Sequence, residues 1–132
     1  MKLGFIGTGK IASSVIIGIC NSKIKYKQIL ISSRTKKTAL SLKRRFRKIK
    51  IYKSNQNIID KSDWIFLAIT PSVGKKIIKD LKFKNNQTIV SFISTINLSN
   101  LKKMIKTKSS IVRAIPLPPI SLKKGPVPIY SP

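Results

Sequence analysis

The sequence has no histidine and no glutamate, and its three acids are Asp60, Asp63 and Asp80. One cysteine, Cys20, stands alone. These absences exclude a good deal. A single cysteine forms no internal disulfide. With no histidine and no cysteine pair, a zinc site has no ligand set, and no metal is expected. With neither histidine nor glutamate, no side chain stands out as a general acid or base, and no catalytic residue is assigned. No apolar run approaches the ~20 residues of a membrane span. The short apolar run at the N-terminus, which a signal peptide would also have, is interrupted by Gly7, Gly9 and Lys10. A cytoplasmic location, with no membrane partner, is the default expectation.

What is present is charge and apolar bulk. Twenty-eight Lys and Arg against three acids give a formal charge of +25. Such a field favours anionic partners, either nucleic acid or a phosphorylated cofactor. The plainer reading is a compositional bias towards lysine on an ordinary fold. Basic pairs are scattered along the chain, and the dense block from Lys43 to Lys50 lacks stacking aromatics apart from Phe46. No specific nucleic-acid partner is expected. With 42% hydrophobic residues over 132 positions, the chain reads as one globular domain with a real core.

Short apolar runs alternate with amphipathic ones. Strands are expected at Lys2–Ile6, Ile29–Ile31, Ile49–Tyr52, Trp64–Ile69, Thr88–Ile93 and Ser110–Ile115. Helices are expected over Ile11–Ile19, from a Thr35 cap towards Phe46, over Asn55–Asp60, over Val73–Leu81, and from an Asn97 or Ser99 cap through Met104. The run WIFLAI has no polar alternation, as befits a strand buried on both faces, and Pro71 stops it. Trp64 and Cys20 both read as packing residues. The end of the chain is rich in proline and reads as extended or as an edge strand. This alternation predicts an α/β fold, a Rossmann-like doubly wound parallel sheet in three α/β/α layers and a single domain. Residues 1–115 would form the cofactor domain and 116–132 a Pro-rich extended tail.

The first strand runs into Gly7-Thr8-Gly9-Lys10-Ile11-Ala12, a G-x-G-x-x-A turn between strand and helix. Gly7 permits the tight turn, Gly9 leaves room for a pyrophosphate at the backbone, and Ala12 lets helix and strand approach. The helix N-terminus then offers free N–H groups to phosphate. The alternative is a merely structural glycine turn. At the end of the second strand, where NAD sites usually place an acid, the chain has Ser32-Ser33-Arg34-Thr35-Lys36-Lys37. Hydroxyls and a guanidinium suit a 2′-phosphate, so NADP is favoured over NAD. A solvated basic loop is the plain alternative.

An ordered set of segments resembles the pyrroline-5-carboxylate reductase family: Gly4-Phe-Ile-Gly-Thr-Gly, Ser32-Ser-Arg-Thr, Ser54-Asn55, Ser62-Asp-Trp-Ile-Phe-Leu-Ala-Ile-Thr-Pro71, Ile89-Val-Ser-Phe-Ile-Ser94 and Val112-Arg-Ala-Ile-Pro116. The resemblance implies that Ile6, Gly7, Thr8, Gly9, Lys10 and Ile11 wrap the pyrophosphate of NADPH. Ser33 and Arg34 would meet its 2′-phosphate, and Asn55 would lie near its adenosine. Ala68, Ile69, Thr70 and Pro71, with Phe92, Ile93 and Ser94, would line the nicotinamide half. It further implies hydride transfer to the C=N carbon of 1-pyrroline-5-carboxylate, giving proline. The chain would supply the cofactor-binding half, and a C-terminal helical dimerisation domain or a second chain would complete the site. The sequence departs from the family pattern at Thr70 (a lysine there), at Ser94-Thr95 (Ala-Gly) and at Ile115-Pro-Leu-Pro-Pro119 (Met-Pro-Asn-Thr-Pro). Plain structural readings stand beside several of these roles. Asn55 could cap a helix, Pro71 could simply end a strand, and Arg113 could pair with a carboxylate or carbonyl. Two other readings stay open: another NADP-dependent dehydrogenase, or a non-enzymatic NADP- or nucleic-acid-binding domain.

Overall fold

The computed structural model describes residues 1–33, 36–116, 118–123 and 127–131. Six parallel strands, β1 (Lys2–Ile6), β2 (Gln28–Ser32), β3 (Ile49–Tyr52), β4 (Trp64–Leu67), β5 (Thr88–Ser91) and β6 (Ser110–Ala114), form one sheet. A short seventh strand, β7 (Ile129–Tyr130), pairs antiparallel with β6 at the edge. The order β3-β2-β1-β4-β5-β6-β7 is doubly wound, as the alternation of strands and helices predicts. Five helices connect the strands: α1 (Lys10–Cys20), α2 (Lys36–Arg45), α3 (Asn55–Lys61), α4 (Pro71–Ile77) and α5 (Leu98–Met104).

The period of two along each strand splits the core between the two faces. Leu3, Phe5, Ile29, Ile31 and Ile49 point towards α1 and α2, with Ala12, Ile16, Ala39 and Leu42 packed over them. Ile6, Leu30, Ile65, Leu67, Ile89 and Ile111 point the other way, under Ile58, Ile59, Ile78 and Leu101. The register pairs like with like, for example Leu3 with Ile29 and Phe5 with Phe66. Phe5 and Phe66 stack at 4.5 Å.

Three local outcomes differ from the sequence reading. Strand β4 ends at Leu67, and Pro71 opens α4 as its first residue. Proline suits that position because its missing N–H has no helical partner there and its φ is preset. The helix expected to reach Leu81 tightens into a 3₁₀ turn over Ile78–Asp80. The proline-rich end is not uniformly extended. A 3₁₀ turn over Pro118–Leu122 lies against α1, so close that a Cβ on Gly18 would collide with the carbonyl of Ile120. The β7 edge strand agrees with expectation. Cys20 is half-buried against the α1–α2 side of the core, where burial pushes its thiol pKa up.

Candidate functional site

The C-terminal ends of β1, β4 and β5 open into one cleft of about 320 Å³, lined by Gly9, Lys10, Ile11, Ala12, Ala68, Ile69, Thr70, Pro71, Phe92, Ile93 and Ser94. This is the crevice that doubly wound sheets build at the reversal of strand order. The sheet sets its walls. The Ala68 amide donates to the Ile6 carbonyl at 2.9 Å, and the Phe92 amide to the Leu67 carbonyl at 2.9 Å. The three strand ends therefore stop in step.

Gly7 has φ +101°, and a Cβ there would collide with the carbonyl of Ala68. Only glycine meets both demands, so the tight turn has a tertiary cause as well as a local one. Above Gly9, by contrast, a Cβ would meet nothing within 4 Å. Ala12 is buried against the sheet. Each role inferred for the glycine turn thus has a geometric counterpart.

The helix ends sharpen the point. α3, α4 and α5 each begin with a side-chain cap: Ser54 accepts from the Asn57 amide, Thr70 from that of Val73 and Asn97 from that of Asn100. α1 begins at Gly9 with no side-chain cap and no acid in its first turn. Its leading N–H groups and the positive end of its dipole therefore face the cleft with no side chain among the described residues accepting from them. Two hydroxyls nearby are also unsatisfied. Thr8 Oγ1 and Ser32 Oγ are buried, and neither has a hydrogen-bond partner among the described residues. A buried hydroxyl without a partner costs about 1–3 kcal/mol. Free N–H groups, two orphaned hydroxyls, open space over Gly9 and no acid form a donor set that fits a dinucleotide pyrophosphate and ribose.

The residues singled out in the sequence are placed as follows. Gly9, Lys10, Ile11, Ala68, Ile69, Thr70, Pro71, Phe92, Ile93 and Ser94 come together in the cleft. Ile6, Gly7 and Thr8 lead into it at the end of β1 but are buried and are not part of its lining. Ser33 lies beyond the tip of β2, its amide donating to the Tyr52 carbonyl at 3.2 Å, and is not part of the cleft lining. Asn55 is the first residue of α3 and not its cap, because Ser54 takes that position. Arg34, Thr35 and Leu117 lie outside the described residues. Thr70 serves α4 as its cap and approaches Ser72 Oγ at 3.3 Å. Arg113 donates to the Ser94 carbonyl and lies over the Tyr130 ring at 5.5 Å, which is the carbonyl-pairing role among its alternatives. The sequence reading did not single out Ser32 as a site residue. Its signal was position, as the last residue of β2, but only burial reveals its orphaned oxygen.

Among the described residues no cluster of potential metal ligands occurs, and no helix is long and apolar enough to cross a membrane.

Comparison with known proteins places this geometry. The fold superposes on 1-pyrroline-5-carboxylate reductase from Streptococcus pyogenes with a TM-score of 0.85 and 27% identity, over all of this chain and 49% of that one. The Plasmodium falciparum pyrroline carboxylate reductase, whose structure was solved with NADP bound, gives a TM-score of 0.85 at 24% identity, over 100% of this chain and 48% of that one. By sequence, pyrroline-5-carboxylate reductase 3 of Danio rerio is 27% identical over 95% of this chain and 44% of its own length. The chain thus spans about half the length of the curated relatives it matches. Residues 2–97 match the family described as NADP oxidoreductase, coenzyme F420-dependent, and the chain belongs to that family.

Proposed function

We propose that this chain is the NADPH-binding half of an enzyme that reduces 1-pyrroline-5-carboxylate to proline. The observation that carries the cofactor assignment is the uncapped α1 N-terminus beside the orphaned hydroxyls of Thr8 and Ser32. These are donors without acceptors, on a chain of charge +25, and they favour a phosphorylated ligand. The reaction is supported by the reductases that the whole chain resembles.

When bound, NADPH supplies the hydride for the C=N carbon. The residues of this chain bind and orient. The first-turn amides of α1 would hold the pyrophosphate, with Gly9 leaving it room. Thr8 and Ser32 would satisfy their hydroxyls on the cofactor. Ser33 and Arg34 would meet the 2′-phosphate, and Asn55 the adenosine. Ala68 to Pro71 and Phe92 to Ser94 would wall the nicotinamide half and hold it against the sheet ends, away from water. No residue of this chain is assigned to donate a proton. Arg113 is already engaged with Ser94 and Tyr130 and is not assigned to the substrate carboxylate. The other half of the enzyme, in the same or a second polypeptide, would complete the substrate site.

The test is a parallel titration of the chain with NADPH and NADH, followed by nicotinamide fluorescence, with a turnover assay on 1-pyrroline-5-carboxylate. NADPH should bind at least tenfold more tightly than NADH, and the isolated chain should turn over far more slowly than a complete reductase. Equal affinity for the two cofactors, or none for either, would sink the cofactor assignment.

A further inference from the structure

The walls of the cleft are not held alike. Ala68 and Phe92 are tied to neighbouring strands by backbone bonds, to the carbonyls of Ile6 and Leu67. Ser94 lies two residues further on, exposed and in a turn outside the strands. The bonds within that turn are local. The Ile93 amide donates to Ser91 Oγ at 3.1 Å, and the Ile96 amide to the Ile93 carbonyl at 3.4 Å, which is long for such a bond. One bond reaches the turn from another strand. Arg113 of β6 donates through Nη2 to the Ser94 carbonyl. A guanidinium donor makes a charge-assisted bond, stronger than one between neutral groups.

Arg113 is itself held from the other side. Its partner across the β6–β7 ladder is Tyr130, whose ring centre lies 5.5 Å from the guanidinium carbon. The Ile115 amide extends this edge by donating to the Pro128 carbonyl at 2.9 Å. Arg113 Nε, by contrast, is buried with no partner among the described residues. An unmatched buried donor is costly, so the arrangement that reaches Ser94 is not the one that best satisfies Arg113. The clamp is also light. β7 has two residues, and Tyr130 is 49% exposed.

We infer that Arg113 is a positioning residue for the nicotinamide end of the cleft, with Tyr130 of β7 as the clamp that keeps it there. This role rests on the proposed NADPH site. Arg113 is not part of the cleft lining, so it acts through Ser94, which is. The phosphate end is built separately, on the glycine turn after β1, the start of α1 and the tip of β2. Loss of Arg113 should therefore be felt at one end of the cofactor and not at the other.

Two ligands separate the ends: NADPH, and 2′-phospho-ADP-ribose, which lacks the nicotinamide. Calorimetry measures both. Arg113→Gln should weaken NADPH about fivefold, the scale of one lost hydrogen bond, and leave 2′-phospho-ADP-ribose unchanged. It should also reduce the blue shift of bound NADPH fluorescence. Arg113→Lys, which keeps a cationic donor, should restore part of the loss. Tyr130→Ala should weaken NADPH about twofold to threefold, again without effect on the smaller ligand. It carries the same comparison if Arg113→Gln does not fold. Equal weakening of both ligands would show that Arg113 only supports the fold, and would overturn the positioning role. Unchanged NADPH binding in both variants would overturn it as well. Unaltered protein that binds neither ligand would overturn the functional reading itself.

Discussion

The two faces of the sheet are built from the same strands and end differently. Beneath α3, α4 and α5, the side chains of Ile65, Leu67, Ile89 and Ile111 are at most 2% exposed. One residue along the same strands, Trp64 and Val112 point towards α1 and remain partly open. Alternation alone makes both faces apolar, and connectivity decides which one is covered. The helices that follow β3, β4 and β5 all pack on the first face, and those that follow β1 and β2 pack on the second and leave an open groove over its far side. An apolar strand residue therefore indicates a face, not a degree of burial.

The strongest test of this contrast uses neighbours in β6. Ile111→Ala should cost about 2–5 kcal/mol, because it leaves a cavity in the sealed face. Val112→Ala should cost about 1 kcal/mol or less, since part of its side chain is already in water. Urea unfolding of both variants measures the difference, and equal losses would mean that the groove is closed in solution. The α1 side also holds the Gly7–Gly9 turn proposed to bind the cofactor. Thr8→Val removes an unsatisfied hydroxyl and should raise the stability of the ligand-free chain by about 1 kcal/mol. The same change should weaken NADPH binding severalfold, so stability and affinity move in opposite directions. A loss of both would mean that Thr8 Oγ1 is already satisfied within the protein.

The smallest effect is a pH dependence on the same face. Burial, followed by a hydrogen bond with Cys20, pushes the Tyr26 hydroxyl up to about 12 from an ordinary value of 10.0. The folded state therefore holds the neutral form. Its contribution is complete below the unfolded pKa and is lost as pH rises from about 10 towards 12. Tyr26→Phe should remove that part of the alkaline fall in stability, read as the difference between the two unfolding curves from pH 9 to 12. Identical curves would show that Tyr26 titrates normally.

The reading of the cofactor turn depended on local chemistry. Gly7, Gly9 and Ala12 sit at fixed offsets from a strand end, and the backbone geometry they permit is the same in any chain. Thr70 and Asn97 were harder. Both cap helices, yet Thr70 also falls within the segment assigned by resemblance to the cofactor. Pro71 was read as a stop and proved to be a start, since proline excludes a strand interior and suits a helix N-terminus equally well. The 3₁₀ turn on α1 had no local signal at all, for it depends on the close approach to Gly18.

By itself, the sequence determined the alternation of strands and helices, the doubly wound class of sheet and the glycine turn after β1. Each follows from side-chain periodicity or backbone freedom within a few residues. Tertiary structure alone decided that Ser32 and Thr8 lack partners among the described residues, that Gly7 is pressed against Ala68, and that one face keeps an open apolar groove. Those facts depend on what lies across space from each residue, and neither composition nor spacing along the chain carries that distance.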